Sequence, residues 1–341
     1  MPPIRIALAQ TCPISAPSGP PKLEKPHSTT PFPTLDANLA DAASYVVQAK
    51  AAGADIVVFP EYFLQGIVNE SRQYLTFPSK HLTTALQTLA REHDISIVGT
   101  IVHGSLPPSA SPASAFPTSS PFENDGKAKH EKITPAQLEW ARWLESHPAT
   151  VEDNLEPILH NTAFFIEGGT GTVLGEYIKR NLWHPERDYL TAGKDDHGVF
   201  QTKWGKMGMM ICWDMSHPAA AATMADQGAE VILAPTYWTA TDSEPIIHNH
   251  DHPDDYEVGV IHALAYARAF ETETIWVMVN AGGDPLEGFA GGSGVWAPLR
   301  GKIGGLGIEA GMKIIDVNTD LLQDARKLYK IREDASKRDA T

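Results

Sequence analysis

A chain of 341 residues with 42% hydrophobic content can bury one large α/β core or two ordinary ones without covalent staples. It holds only two cysteines, Cys12 and Cys212, which excludes a disulfide framework and fits a reducing compartment. The formal charge of −15, with no stripe of Lys and Arg to follow a phosphate backbone, excludes nucleic acid as an expected partner and favours solubility. The opening MPPIRIALAQ has none of the parts of a secretory signal. No window approaches the roughly eighteen apolar residues of a spanning helix. A cytoplasmic protein with no membrane partner is expected.

Ile4 to Ala9 reads as a buried strand, and a Pro/Ser/Thr-rich excursion then occupies residues 13–34. From Leu35 the spacing turns helical, with Leu39, Ala42, Ala43, Val46 and Ala49 on one face and Gly53 placed to stop the helix. A strand at Asp55 to Phe59, a helix over about 80–93 and a strand at Ile95 to Val102 repeat the alternation of an α/β fold. Residues 105–121 are too rich in Pro and Ser to bury much surface. They open an insertion of about 105–160, rather than an interdomain linker, because TPAQLEWARWLESH reads as a short helix with Thr134 as N-cap and Pro135 in its first turn. Asn161 to Ile166 and Thr172 to Ile178 then read as a hairpin turned by Gly168, Gly169 and Gly171. Strands follow at Met207 to Ile211, Glu230 to Ala234, Thr274 to Val279 and Lys313 to Val317. Helices are expected at about 217–227 and at Val258 to Glu271, with a charged helix at the C-terminus. No internal repeat is found, and the whole chain, 1–341, is read as a single domain.

Three polar residues fall just past the ends of expected buried strands: Glu61 after DIVVFP, Lys179 after TVLGEYI and Cys212 after MGMMI. Strand ends are where α/β scaffolds gather their sites. Taken singly, an apolar-flanked cysteine reads more readily as core, and a lone Glu or Lys as a solvated side chain. The coincidence of the three is what points to chemistry. A thiol attacking a carbonyl must lose its proton, and a carboxylate such as Glu61 can take it. An ammonium such as Lys179 lowers a neighbouring thiol's pKa and stabilises a developing oxyanion, and the backbone N–H of Trp213 can complete that oxyanion hole.

The segments that hold these residues are DIVVFPEYFLQG, YIKRNLWHPERDYLTAG and GKMGMMICWDMSHP with QGAEVILAPTYW after it. Together with ARAFETETIWVMVNAGG and the following GGSGVWAP, they resemble, in the correct order, the motifs of the nitrilase or carbon-nitrogen hydrolase superfamily. The resemblance runs from Ile4 to about Val317, apart from the two Pro/Ser-rich excursions. It implies an αββα sandwich, a homo-oligomer of dimer size or larger, and a Glu61–Lys179–Cys212 set acting through a thioester without a cofactor. It also implies that Glu186, seven residues after Lys179, is a second carboxylate that positions the lysine or the substrate amine. The last two motifs correspond to the family's C-terminal strand pair.

Trp183, Trp213, Tyr237 and Trp238 flank the proposed site in sequence and are candidates for substrate contact, although aromatics also fill cores. Arg268 and Glu271, at i and i+3, can pair with each other or brace the site from behind, and support is the favoured role. HNHDHPDD, residues 248–255, has His and Asp enough for a metal, but its irregular spacing and Pro253 favour a loop or pocket rim. The glycines at 168–171 do not open a helix, so no nucleotide site is expected.

The chain departs from the family pattern where Ala219 and Ala222 replace the usual Glu and Arg after the nucleophile, and where Thr272 replaces an Asn. A small-molecule amidase or carbamoylase is the first reading, leaning on CWD at Cys212, with a nitrilase as the alternative because the PER of 185–187 looks nitrilase-like. A non-catalytic binding scaffold is the third reading, and retention of all four site residues argues against it.

Overall fold

Alternate residues of the first strand enter two different cores, and this sets the architecture. In β1 (Ile4–Gln10), Ile4, Ile6 and Leu8 join one apolar cluster while Ala7 and Ala9 join another, as period-two geometry requires of a strand covered on both faces. Ile56 and Val58 of β2 (Ile56–Val58) and Val98 of β3 (Ser96–Ser105) lie with the first set, and Val57 and Ile97 with the second. Helices α1 (Pro33–Ala51) and α2 (Ser79–His93) cover the second set, contributing Leu39, Val46, Leu82 and Leu86. The computed structural model describes residues 3–16, 32–69, 72–76, 79–105, 121–122 and 158–339.

The first sheet is completed by β4 (Ile158–Ile166), β5 (Val173–Ile178) and β12 (Gly311–Val317), in the order β12-β1-β2-β3-β4-β5. The second sheet is formed by β6 (Val199–Thr202), β7 (Gly205–Met209), β8 (Val231–Thr236), β9 (Ile275–Asn280), β10 (Gly294–Ala297) and β11 (Gly301–Gly305), ordered β11-β10-β9-β8-β7-β6. Met207, Val231, Leu233 and Val277 of this sheet share the cluster that holds Ile6 and Val98, so the two sheets pack face to face. Its outer face is covered by α3 (Pro218–Asp226) and α4 (Tyr256–Glu271), the latter through Ile261, Ala265 and Ala269 at helical spacing. The result is the expected αββα sandwich.

Most expected elements stand where the sequence places them. Pro33 opens α1, and Gly53 follows it with φ 79°, a left-handed conformation that costs glycine nothing. The 168–171 turn joins β4 to β5 as an antiparallel hairpin, and a Cβ on Gly168 would lie 2.7 Å from the backbone of Ile95. β9 and β10 pair antiparallel, as the last two motifs imply. Three differences have local causes. β7 ends at Met209 rather than Ile211, because the chain turns there into the short 3-10 segment Cys212–Ser216. β6 and β11 were not expected, since VFQT and GKIGG are too short or too rich in glycine to show a strand pattern. The charged C-terminal helix is two helices, α5 (Leu321–Tyr329) and α6 (Ile331–Asp339), broken where Lys330 takes φ 57°. Most of the 13–34 excursion and the helix expected from Thr134 lie outside the described residues.

Strand direction positions the site. β1, β2 and β3 are parallel, β4 runs against β3, and β5 runs against β4, so β2 and β5 end on the same edge. β7, β8 and β9 are parallel in the other sheet. The two edges meet where the Glu61 N–H donates to the carbonyl of Thr236, the last residue of β8, at 3.2 Å.

Candidate active site

Glu61 follows β2, Lys179 follows β5 and Cys212 follows the end of β7, and the junction of the sheets buries all three. Lys179 Nζ donates at 2.7 Å to Oε1 of Glu61 and at 2.7 Å to Oε1 of Glu186, with both Lys179 and Glu61 only 1% exposed. One ammonium therefore faces two carboxylates, out of water. The second oxygen of Glu186 accepts the Trp183 N–H at 2.8 Å, and Oε1 accepts the Tyr62 hydroxyl at 2.6 Å. Glu186 sits on the short 3-10 turn His184–Asp188, whose first residues follow Trp183. Oε1 of Glu61 also accepts the Asn161 side-chain amide at 2.7 Å, and its Oε2 accepts the Tyr237 N–H at 3.2 Å.

Cys212 takes φ 45°, a left-handed conformation that costs a non-glycine residue about 1–3 kcal/mol and is held only where the surroundings enforce it. Asp214 is the enforcer. Its carboxylate accepts the Ile211 N–H at 3.0 Å, the Tyr177 hydroxyl at 2.9 Å, and the backbone and side-chain N–H of Asn181 at 3.1 and 2.8 Å. Burial pushes the Asp214 carboxyl up, but hydrogen bonding and charge from His197 and the Ile211 N–H outweigh it and hold it below the usual range. From behind, Arg268 Nε donates to the carbonyl of Met215 at 3.0 Å while its guanidinium pairs with Glu271 at 2.7 Å. The brace expected of that pair is therefore present. Ala219 and Ala222, where the family has charged residues, lie exposed on α3.

The proton balance differs in one respect from the sequence expectation. Burial, then the charge of Glu61, pushes the Cys212 thiol well above its ordinary value, and the opposing pull of Lys179 does not win. Burial likewise raises Glu61 to about 7 against the attraction of Lys179. Burial pulls Lys179 down, but Glu61 and then Glu186 hold its ammonium well above the ordinary range. At neutral pH the resting set is a neutral thiol, a fixed cation and a carboxylate near its midpoint. Such a set suits proton transfer to Glu61 during attack rather than a standing thiolate.

The four aromatics separate. Trp213 lies against Trp183, with ring centroids 4.2 Å apart, and against Trp238 at 5.2 Å. Trp238 is 5% exposed and donates its indole N–H to Glu257 of α4 at 2.7 Å, so it backs Trp213. Tyr237 meets Tyr62 edge-on at 5.9 Å. Trp183 also lines a cavity of about 820 Å³, whose wall includes Asp242, Ile247, His250, His252 and Tyr256. Residues 250–253 of the 248–255 stretch thus stand at a pocket wall, and no cluster among the described residues is arranged to hold a metal. Nor is any helix among them long and apolar enough to cross a membrane.

The carbon-nitrogen hydrolase family model matches residues 5–145 and 145–327. This chain belongs to that family. Among its curated relatives, a probable nitrilase of Schizosaccharomyces pombe is 31% identical over 180 residues, covering 52% of this chain and 59% of that protein. A citrullinase of Francisella tularensis is 26% identical over 230 residues, covering 64% and 62%. The chain thus matches about six-tenths of the length of each. A carbon-nitrogen hydrolase of Helicobacter pylori, 16% identical, shares the fold with a TM-score of 0.69 over 97% of this chain and 94% of that one.

Sequence reasoning overlooked Tyr62, Asn161, Tyr177 and Asn181, and used Asp214 only as the last residue of CWD, a marker of substrate class. Three of the four carried a signal: Tyr62 adjoins Glu61, and Tyr177 and Asn181 each lie two residues from Lys179. Asn161 reaches the site only through strand pairing.

Proposed function

We propose that this carbon-nitrogen hydrolase cleaves an amide or carbamoyl C–N bond of a small molecule through a covalent acyl intermediate on Cys212. The observation that carries the reading is the buried Glu61–Lys179–Glu186 network set against a strained cysteine at the junction of the two sheets. In the first step the S–H bond of Cys212 breaks, its proton passes to Glu61, and the sulfur pair attacks the carbonyl carbon. The carbonyl π pair moves to oxygen, where the Lys179 ammonium and the Trp213 N–H stabilise the charge. Collapse expels ammonia or an amine, which leaves with the proton from Glu61. Water then attacks the thioester, Glu61 accepting its proton and returning it to sulfur as the C–S bond breaks. Glu186 keeps Lys179 charged and aimed, and Trp183, Trp213 and Tyr237 form the wall that selects the acyl group, with Trp238 supporting Trp213.

The citrullinase similarity supports a carbamoyl substrate. The probable nitrilase favours the second reading, in which the same thiol adds to a nitrile and two waters complete hydrolysis to acid and ammonia. The deciding experiment measures ammonia release from panels of amides, N-carbamoyl compounds and nitriles by the native protein and by Cys212→Ala. Turnover of one class, abolished by the substitution, supports the mechanism and names the class. No turnover, with Cys212 also inert to a thiol-reactive amide mimic, overturns the enzyme reading and revives a binding scaffold. A homo-oligomer in a reducing cytoplasm completes the proposal. Tyr266 and Phe270 on α4, with Leu328 and Tyr329 on α5, form an exposed apolar face suited to a second copy, and sedimentation velocity tests it.

A further inference from the structure

Asn161 has no part in the steps above, yet it touches both residues that flank the thiol. It lies on β4, 1% exposed, where its carbonyl accepts the Lys179 N–H at 2.8 Å and its side-chain amide donates to Glu61 at 2.7 Å. The amide and the Lys179 ammonium fall on the same oxygen, Oε1, each at 2.7 Å. A carboxylate oxygen has two in-plane lone pairs, so these two donors saturate it. Oε2 receives only the longer 3.2 Å bond from the Tyr237 N–H, which leaves it a free lone pair. Of the two oxygens, Oε2 is therefore the one left able to accept a proton from a neighbouring thiol. The other end of the Asn161 amide is an anomaly. Its Oδ1 is buried without a hydrogen-bond partner among the described residues, which costs stability that an apolar residue of similar size would avoid.

We propose, resting on the hydrolase reading above, that Asn161 is a positioning residue: it holds Oε1 of Glu61 so that Oε2 alone receives the Cys212 proton, and it stabilises that carboxylate without adding charge. An ammonium in its place would compete with Lys179 for the carboxylates, whereas the amide is neutral. Removing it leaves Glu61 one donor fewer among the groups that face it, namely Lys179, Glu186, Cys212, Tyr62, Tyr189 and Tyr237. Of these only Lys179 is cationic.

The test needs no substrate. In a Cys12→Ser background, which leaves Cys212 as the only thiol, the rate of alkylation by iodoacetamide is followed from pH 5 to 9 for Asn161 and for Asn161→Ala, Asn161→Asp and Glu61→Gln. The parent rate is expected to rise through the titration of Glu61, and Glu61→Gln to flatten that rise. Asn161→Ala is expected to move the midpoint up by about one pH unit, a tenfold loss of ionised Glu61 well below it, with the plateau rate within about twofold. Asn161→Asp, nearly isosteric and able to carry the test if the alanine variant does not fold, is expected to move it further in the same direction. A folded variant with the parent midpoint and a lower rate at every pH overturns the positioning role and makes Asn161 merely structural. Failure of Cys212 to alkylate in the parent overturns the hydrolase reading itself, a different result.

Discussion

Glu61→Gln is expected to abolish turnover and to stabilise the protein at alkaline pH. Burial raises this carboxyl from 4.5 to about 7 in the folded chain. A folded-state value above the unfolded one contributes stability that is fully present below 4.5 and lost as pH rises through 7. Linkage with those two values puts the cost of ionising Glu61 in its buried place at about 1 kcal/mol at pH 5 and about 3 kcal/mol at pH 8. Glutamine has the same shape and never pays that difference. Its amide N–H₂ facing Lys179 returns some of the gain at both pH values alike, so the pH-dependent part survives. Urea unfolding of native and variant at pH 5 and pH 8 should therefore show the variant gaining about 2–3 kcal/mol on the native protein between the two conditions. The variant should release no ammonia from any substrate the native protein turns over. A stability difference that is the same at both pH values, or one that moves in favour of the native protein as pH rises, refutes the assignment of Glu61 as a buried base held at the edge of ionisation.

Lys179→Met removes the one cation between Glu61 and Glu186, each 2.7 Å from it, and should cost about 3–5 kcal/mol at pH 8 by chemical denaturation. The loss should shrink toward pH 5, because two facing carboxylates without a cation retain a proton to higher pH, and stability of that origin is present on the acid side. Asp214→Asn keeps the shape but turns one acceptor oxygen into a donor facing the Tyr177 hydroxyl or the N–H groups of Ile211 and Asn181. Thermal unfolding should show a loss of about 2–4 kcal/mol, and the rate of Cys212 alkylation should fall as the strained turn relaxes. Tyr62→Phe removes the 2.6 Å bond to Glu186 and should lower kcat more than it raises KM in steady-state kinetics, since that hydroxyl acts on the lysine's partner.

What the sequence made legible, and what it hid, divides along the range of the interactions. Buried strands and amphipathic helices announce themselves locally: α1 buries Leu35, Leu39, Ala42, Val46 and Ala49 because 3.6 residues per turn puts them on one side, and the sequence carries that period openly. β6 and β11 have no such signature, being edge strands of four and five residues whose partners define them. That Glu61, Lys179, Glu186 and Cys212 come together was legible because each adjoins a readable strand or turn and because the motifs resemble a known family. Their proton balance was not. The expectation that Lys179 lowers the Cys212 thiol counted one charge, whereas the folded chain surrounds sulfur with two carboxylates and an apolar wall, and those outweigh one ammonium.

The same reasoning explains why Asp214 reads in the sequence only as the last residue of CWD, a marker of substrate class, and not as the anchor of a turn. Only when β5 and β7 end side by side do Tyr177, Asn181 and the Ile211 N–H converge on it, and only then does a residue with φ 45° at 212 become affordable. The nucleophile's geometry thus depends on a carboxylate that never approaches substrate in the proposed mechanism. A thiol held up in pKa by burial gains nothing from exposure by itself; it needs a base placed on the correct side. The turn fixed by Asp214 aims the sulfur, and the β4–β5 hairpin, through Asn161 and Lys179, aims the oxygen that meets it. In the proposed mechanism one sheet supplies the nucleophile and the other its base, and the bond from the Glu61 N–H to the Thr236 carbonyl joins the two.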